Sequence, residues 1–394
     1  MRLRALPVFL VFLAMGFGDA VGSFVSLAKD HFVLSKATAN LIPLVGLLMF
    51  GILSVPMGIF QDRTGKKTVL VLGLAVGLVG LLMASFGLTS FPLFLVTVLL
   101  MGSCATMLQV AGNPIMRDVS EEGKYSRNLS LAQFVKAIGS LSGPMIPVIA
   151  GYCGLSWTLI FPIYAAVLLL TIISIMTLRV QERRVPDAQP ATLASCLALM
   201  GNGYAAMMVA AIFFYVGAEV AVNAQIPLYL KEQFGVDVQK VGLLGTGLFF
   251  AALTIGRFSG GVLLNWFSPT KALLATCILS LAATIGLFLP QPAIAVTMAG
   301  LFVLGVGFAN IFPLVFSITV DRMPEHTNAL SGLMVSAIVG GAVLPYIMGF
   351  VADKSTVQWS FLVPLAAIAY ILVVAVANRK SVAAPQPREV STVA

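Results

Sequence analysis

The chain has 394 residues, of which 59% are hydrophobic and only 10% are charged. A soluble domain carries about 25% charged residues, so the mean hydropathy of +1.01 excludes an ordinary soluble domain and indicates an integral membrane protein. The formal charge of +8 does not indicate nucleic-acid binding, because the basic residues lie in short segments between apolar runs, as membrane topology requires.

In chain order, the sequence contains twelve apolar segments long enough to cross a membrane as helices. About twenty residues at a rise of 1.5 Å each span a hydrocarbon core of roughly 30 Å. The predicted spans are 5–27, 39–60, 68–89, 91–115, 128–151, 156–178, 199–229, 238–264, 270–289, 291–316, 327–350 and 356–378. The predicted fold is an all-α integral membrane protein with 12 transmembrane helices.

The Lys and Arg residues predict the orientation of these helices. An even number of spans leaves both termini on one side, and most basic residues fall in the segments on that side. Arg63, Lys67, Arg184 and Arg257 are examples. The positive-inside rule therefore predicts cytoplasmic termini. The four cysteines show no metal-ligand spacing and are expected to be free thiols.

The two halves of the chain resemble each other at an offset of about 200 residues. Asp19 matches Glu219, and the segment 58–62 matches 261–265. A repeat at a common offset predicts two pseudo-symmetric six-helix bundles facing each other across a central cavity. The predicted domains are an N-terminal bundle at 1–178, a linker at 179–198, a C-terminal bundle at 199–380 and a disordered cytoplasmic tail at 381–394.

Three ionisable side chains, Asp19, Lys136 and Glu219, lie within the predicted spans. An unpaired charge near the middle of a membrane costs at least about 3 kcal/mol, so such residues are functional by default. We predict that Glu219 carries a coupling proton, with Asp19 as a second candidate. Packing through interhelical hydrogen bonds is the alternative for both acids. Lys136 either pairs with Asp19 or binds an anionic group on the substrate.

Several polar and aromatic side chains in the apolar runs could line a substrate site. Amide groups offer both donors and acceptors, which suits sugar hydroxyls, although interhelical hydrogen bonding is an equal alternative. The candidate substrate-binding residues are Gln109, Asn113, Gln133, Lys136, Tyr215, Asn223, Asn310 and Tyr346. The sequence shows no nucleophile–base arrangement, metal cluster or phosphate-binding loop. We therefore expect no enzyme activity, no metal and no cofactor other than a coupling proton, with sodium also possible.

The segment after the second span has a specific spacing of glycine, acid and basic residues: Gly58, Asp62, Arg63, Gly65 and Lys66. Gly65 permits a tight turn, and Asp62 can accept hydrogen bonds near a helix end. This spacing resembles the loop signature of the major facilitator superfamily, which implies a gate that holds the two halves together on the cytoplasmic side. The second-half copy has Asn265 in place of the acid and is degenerate.

Motifs along almost the whole chain resemble the fucose:proton symporter family, which includes glucose and galactose permeases. They include Gln109–Pro114, Arg127–Gly139, Tyr215–Glu219 and Gly340–Asp353. Gln109 stands where this family has an acid, and Lys136 stands where the fucose carriers have an asparagine. Glu219 matches the pattern of the hexose-type relatives. The resemblance implies import of a hexose or 6-deoxyhexose with protons, or in some members with sodium.

Together these observations predict a secondary active transporter that works by alternating access in a bacterial inner membrane. The preferred function is proton-coupled symport of a sugar or sugar derivative by a monomer, with no nucleic-acid partner. One alternative is a transporter of an anionic metabolite, such as a sugar acid, with Lys136 as the anion ligand. The other is a proton-antiport exporter of drugs or metabolites.

Overall fold

A computed structural model describes residues 6–19, 24–39, 41–88, 90–178, 180, 182, 191–235 and 243–381. The predicted tail, apart from residue 381, and half of the predicted linker lie outside the described residues. The described secondary structure is helical throughout. The helices are α1 Leu6–Asp19, α2 Phe24–His31, α3 Lys36–Ala39, α4 Leu41–Thr64, α5 Lys66–Ser85, α6 Phe91–Val119, α7 Tyr125–Tyr152, α8 Ile160–Thr177, α9 Leu193–Leu199, α10 Gly203–Phe234, α11 Leu243–Leu263, α12 Pro269–Phe288, α13 Ile294–Phe308, α14 Ile311–Arg322, α15 Thr327–Ser336, α16 Gly340–Lys354, α17 Val357–Ser360 and α18 Leu362–Ser381.

Eleven helical segments of the described chain are long and apolar enough to cross a membrane, and α1 is a shorter apolar helix. This agrees with the predicted all-α membrane fold. The first predicted span, 5–27, contains α1 and the start of α2, and residues 20–23 between them lie outside the described part of the chain. Three spans are composed of more than one α-helix: α13 with α14, α15 with α16, and α17 with α18.

Glycines let helices approach closely at equivalent places in the two halves. A methyl group on Gly16 of α1 would collide with the backbone of α7 at Lys136, and one on Gly139 of α7 would meet the backbone of α1. A methyl group on Gly217 of α10 would likewise meet Gly340 of α16, and one on Gly340 would meet Phe213. The repeated glycine pairs let backbones approach closely, as in other membrane helix pairs.

The two halves contact each other at one end of the bundle. This is the end at which α4 connects to α5, α6 to α7, α11 to α12 and α14 to α15. We call this the basic end, because Arg63, Lys67 and Arg117 lie there. The described hydrogen bonds between the halves lie at this end, including one from Ser331 Oγ to the carbonyl of Val110 at 2.6 Å. The structure is thus closed at the basic end.

Two antiparallel helix pairs make most of this closure. In the first, Gly58 of α4 packs so tightly on Asn328 and Gly332 of α15 that a Cβ atom would lie 2.9 Å from the Asn328 carbonyl. In the second, α7 and α11 pack through Leu131 against Gly261 and through Phe134 against Phe258, whose ring centroids are 5.2 Å apart. Because the backbones approach within contact distance, the closure leaves little room between these helices.

Candidate substrate and coupling site

Three polar side chains, one from each of three helices of the first half, meet around Lys136. Its ammonium nitrogen lies 3.0 Å from Oδ2 of Asp19 on α1 and 3.2 Å from Oε1 of Gln109 on α6. Ser140, one turn further along α7, donates from Oγ to the same Asp19 oxygen at 3.2 Å. The Lys136 side chain is 11% exposed, whereas that of Asp19 is 41% exposed. The acid is thus open to the space outside the helix packing while its basic partner is enclosed.

This geometry bears on the two predicted roles of Lys136. A cation held by a carboxylate and an amide oxygen is charge-compensated, because the carboxylate offsets much of the cost of burying the ammonium charge. In the state described here, Lys136 therefore has the pairing that we proposed as its structural role. Its ammonium group could bind an anionic ligand only after its ion pair with Asp19 had broken.

Two further predicted residues, Gln133 and Asn113, lie close by in sequence on the same helices. Gln133 precedes Lys136 by one turn of α7, and Asn113 follows Gln109 by one turn of α6. Both are buried, and Nε2 of Gln133 and both amide atoms of Asn113 have no hydrogen-bond partner among the described residues. A buried amide left unpaired costs about 1–3 kcal/mol. These groups are suited to bind water or a ligand that offers hydroxyl groups.

A second acid–base pair lies in the other half, between Glu219 on α10 and Arg257 on α11. Oε1 of Glu219 is 3.6 Å from a terminal nitrogen of Arg257, and the two side chains are 17% and 13% exposed. The hydroxyl of Tyr215, one turn before Glu219, interacts electrostatically with both charges. The predicted proton carrier therefore has a basic partner of its own.

The position of Arg257 corrects the sequence analysis, which counted it among the loop cations on the cytoplasmic side. Arg257 lies inside α11, six residues before the helix ends at Leu263. Because Arg257 lies within the predicted span 238–264, the sequence could have identified it as a cation inside a membrane helix. Its Nε atom is buried and has no hydrogen-bond partner among the described residues, so one donor of the guanidinium group is free for a ligand or water.

The remaining predicted substrate residues have different surroundings. Asn223 lies one turn after Glu219 on the same face of α10, and its Oδ1 has no hydrogen-bond partner within the described chain. Asn310 lies between α13 and α14 and donates from Nδ2 to the carbonyl of Gly256 at 2.6 Å, a bond that ties α11 to this break. Tyr346 on α16 is 78% exposed. Asn223 thus lies one helical turn from Glu219 with an unpaired acceptor atom, whereas Asn310 makes an interhelical hydrogen bond.

The two basic residues lie directly beside the contact that closes the bundle. Phe134 is two residues from Lys136 on α7, and Phe258 is next to Arg257 on α11. At 1.5 Å per residue, both basic residues lie within about 3 Å of the aromatic contact along the helix axes. Since the α7–α11 packing continues from this contact to the basic end, Phe134 and Phe258 form the floor below the charged residues.

The predicted gate motif lies at the basic end. Asp62 accepts a hydrogen bond from Nδ2 of Asn328 in the second half at 2.8 Å, and another from the backbone N–H of Ala191 at 2.7 Å. Gly65 has a φ of 93°, a conformation that favours glycine. Lys66 is buried and pairs with Asp118 at 2.6 Å, whereas Arg63 is exposed. The motif therefore connects the two halves and the segment between them.

A linker residue that the sequence analysis did not single out also binds this motif. The carboxylate of Glu182 accepts hydrogen bonds from the backbone N–H groups of Lys66 and Lys67 at 3.0 Å each, at the N-terminus of α5. A carboxylate at this position satisfies free N–H groups and complements the helix dipole. On α9, burial and the charge of Asp62 raise the pKa of the Cys196 thiol.

The second-half copy of the motif makes an equivalent contact despite its degenerate sequence. Oδ1 of Asn265, just after α11, accepts a hydrogen bond from Nη1 of Arg127 on α7 at 3.1 Å. By the 200-residue offset, Asn265 corresponds to Asp62, and Arg127 corresponds to the region of Asn328. Each interface therefore joins one charged group to one amide, with the charge on opposite partners.

Two bundles that close at one end, with ionisable groups at the level of the closure, are the features of a membrane transporter. The chain matches the family model described as Major Facilitator Superfamily over residues 8–338. It therefore belongs to the major facilitator superfamily, a family of multi-pass membrane transporters and not of enzymes.

Similar proteins include two curated bacterial transporters and one solved structure. The chain is 26% identical over 370 residues to a glucose/galactose transporter of Brucella abortus, covering 90% of this chain and 88% of that protein. It is 24% identical to the L-fucose-proton symporter of Escherichia coli, covering 88% and 86%. The crystal structure of the transporter FucP in the outward conformation aligns with a TM-score of 0.80 and 22% identity, covering 94% and 98%.

Proposed function

We propose that this protein is a proton-coupled symporter of a hexose or a closely related sugar, working by alternating access. The observation that carries the proposal is the pairing of each intramembrane acid with a basic residue of its own half. Asp19 pairs with Lys136, and Glu219 pairs with Arg257. An acid held by a cation near an exposed space can bind a proton once the pair separates, which links protonation to a change in helix packing.

The chemistry of the unpaired groups supports a polyhydroxylated and uncharged substrate. Asn113, Gln133 and Asn223 offer amide donors and acceptors without partners among the described residues. Sugar hydroxyls can satisfy both kinds of group. An anionic substrate has less support, because Lys136 is already held by Asp19 and Gln109. The printed names of the glucose/galactose and L-fucose relatives support the same substrate class.

The proposal includes an orientation in the membrane. Closure at the basic end, which the positive-inside rule assigns to the cytoplasm, corresponds to an outward-facing state. The fold similarity to FucP in its outward conformation supports this assignment. We propose a monomer in a bacterial inner membrane with cytoplasmic termini, a central site between residues 1–178 and 199–380, and import as the direction of transport.

Uptake by the purified protein in liposomes tests this function. Radiolabelled glucose, galactose, fucose and a sugar acid would be offered under an imposed proton gradient, an imposed sodium gradient or neither. We expect accumulation of at least one neutral sugar with the proton gradient, and its loss when a protonophore is added. Accumulation of only the sugar acid, or of no sugar under any gradient, would contradict the proposal. Protein-free liposomes provide the background.

A further inference from the structure

Lys136 places a cation within a set of oxygen atoms contributed by three different helices. Oδ2 of Asp19 lies 3.0 Å from its nitrogen, and Oε1 of Gln109 lies at 3.2 Å. Ser140 Oγ, 3.2 Å from the same Asp19 oxygen, is the third oxygen of the cluster. The lysine reaches this cluster from α7, where Lys136 and Ser140 are one turn apart.

A carboxylate, an amide carbonyl and a hydroxyl are the ligands that hard metal cations prefer in proteins. The ammonium group is a compact point charge that donates to oxygen atoms. It therefore meets the same electrostatic demand as a bound alkali ion in the same place. The first half of the chain thus contains a cation-binding arrangement in which the cation is covalently tethered.

We propose that the Lys136 ammonium group occupies a site for a monovalent alkali cation formed by Asp19, Gln109 and Ser140. With the lysine present, the site is filled, and the chain does not bind sodium there. With the lysine shortened, the carboxylate of Asp19 loses its counter-charge, and the oxygen cluster takes up sodium or lithium. The inference deepens the proposed function, on which it rests, because it explains why the coupling ion that we propose is a proton and not sodium.

The groups around the pair agree with this assignment. Among the described residues, α6 contributes the neutral Gln109 and α7 contributes the neutral Ser140 beside Asp19. On α8, the hydroxyl of Tyr164 is hydrogen-bonded to Ser142 at 2.8 Å. Since Lys136 is the basic partner of Asp19, its removal is expected to leave an excess negative charge that a free cation can neutralise.

The test measures the melting temperature of the purified full-length protein, with no substrate present. Wild type, Lys136→Ala and Lys136→Ser would each be compared in sodium, lithium, potassium and choline chloride at equal ionic strength. For a dissociation constant about tenfold below a sodium concentration of about 100 mM, we expect the variants to melt about 2 °C higher in sodium than in choline. The wild type should show no such difference.

Two controls make the result specific. The double variant with Asp19→Asn and Lys136→Ala should lose the sodium effect, because the carboxylate is gone. Lys136→Arg keeps a tethered cation and should behave as wild type. If the shortened variants can be purified only in sodium or lithium, that dependence is the expected result.

Equal melting temperatures of the shortened variants in sodium and choline would overturn the proposal. A sodium effect in the wild type as large as in the variants, or failure of the variants to fold in every salt, would do the same. Because the measurement needs no substrate, it stands even if uptake assays show that the cargo is not a sugar. Absence of sugar uptake with a clear sodium effect would refute the proposed function and leave the cation site.

Discussion

Replacing Asn265 by Asp should stabilise the state that is closed at the basic end. In the structure, Oδ1 of Asn265 accepts one hydrogen bond from Arg127 at 3.1 Å across the interface between the halves. An aspartate has nearly the same size and would receive the same donor with a full negative charge. The substitution therefore changes the electrostatics of one contact and leaves its geometry almost unaltered.

The size of the effect follows from the exposure of this contact. The Arg127 donor is already charged, so the substitution only converts this hydrogen bond into an ion pair; Asn265 is exposed, and exposed ion pairs contribute about 0.2–1 kcal/mol. Taking about 1 kcal/mol as the upper limit, the population open at the basic end should fall by up to about fivefold. Asn265→Ala, which removes the acceptor, should raise that population.

The labelling rate of a cysteine beneath the floor measures this population without requiring a known substrate. Leu131 packs against Gly261 in the closed interface, so Leu131→Cys should react with an impermeant maleimide only when the basic end opens. Cys153 is the exposed native thiol, and Cys153→Ser would remove its background. All variants would carry these two substitutions and would be labelled in inside-out vesicles.

We expect Asn265→Asp to label more slowly than the parent, by up to about fivefold, and Asn265→Ala to label faster. The effect of the aspartate should shrink at high salt, because exposed charges are screened. A labelling rate that is unchanged or increased by Asn265→Asp would refute the view that the second-half copy of the motif holds the two halves together. So would a decrease of the same size in both variants.

Three further predictions concern the coupling site, the first interface and the linker. Glu219→Gln should abolish accumulation driven by a proton gradient but leave counterflow exchange largely intact; accumulation equal to wild type would remove Glu219 from coupling. Gly58→Ala should favour opening and speed the labelling reaction, because a Cβ atom would lie 3.0 Å from Gly332 Cα; slower labelling would contradict this. Glu182→Gln should lower the free energy of unfolding by about 1 kcal/mol through the weakened cap of α5, detectable as a lower melting temperature; an unchanged value would show that the cap contributes nothing.

The sequence was sufficient to predict the membrane fold and the approximate spans, because hydropathy over about twenty residues depends on the chain alone. It could not show where spans break. Asn310, for example, lies at a break between α13 and α14. Breaks depend on what neighbouring helices offer to unpaired backbone groups, which is information from the tertiary structure.

The charged residues of the site show the same limit more sharply. The sequence identified Asp19, Lys136 and Glu219 as ionisable groups in apolar spans, and it left the partner of Lys136 open. Asp19 and Lys136 are 117 residues apart, so only the crossing of α1 and α7 could decide between pairing and ligand binding. Arg257 was assigned to a loop, because counting basic residues by segment gives too little weight to a cation within the span itself.

The pairing of acids and bases within each half has an electrical consequence. Asp19, Lys136, Glu219 and Arg257 together carry no net charge when all four are ionised. If one of the acids takes up a proton and a neutral sugar binds, the loaded cluster carries one positive charge across the membrane, whereas the empty cluster returns uncharged. A membrane potential contributes about 2.3 kcal/mol per charge for each 100 mV. An inside-negative voltage would therefore accelerate the loaded step and leave the return of the empty carrier unaffected, so that the voltage itself acts as a driving force for concentrating sugar.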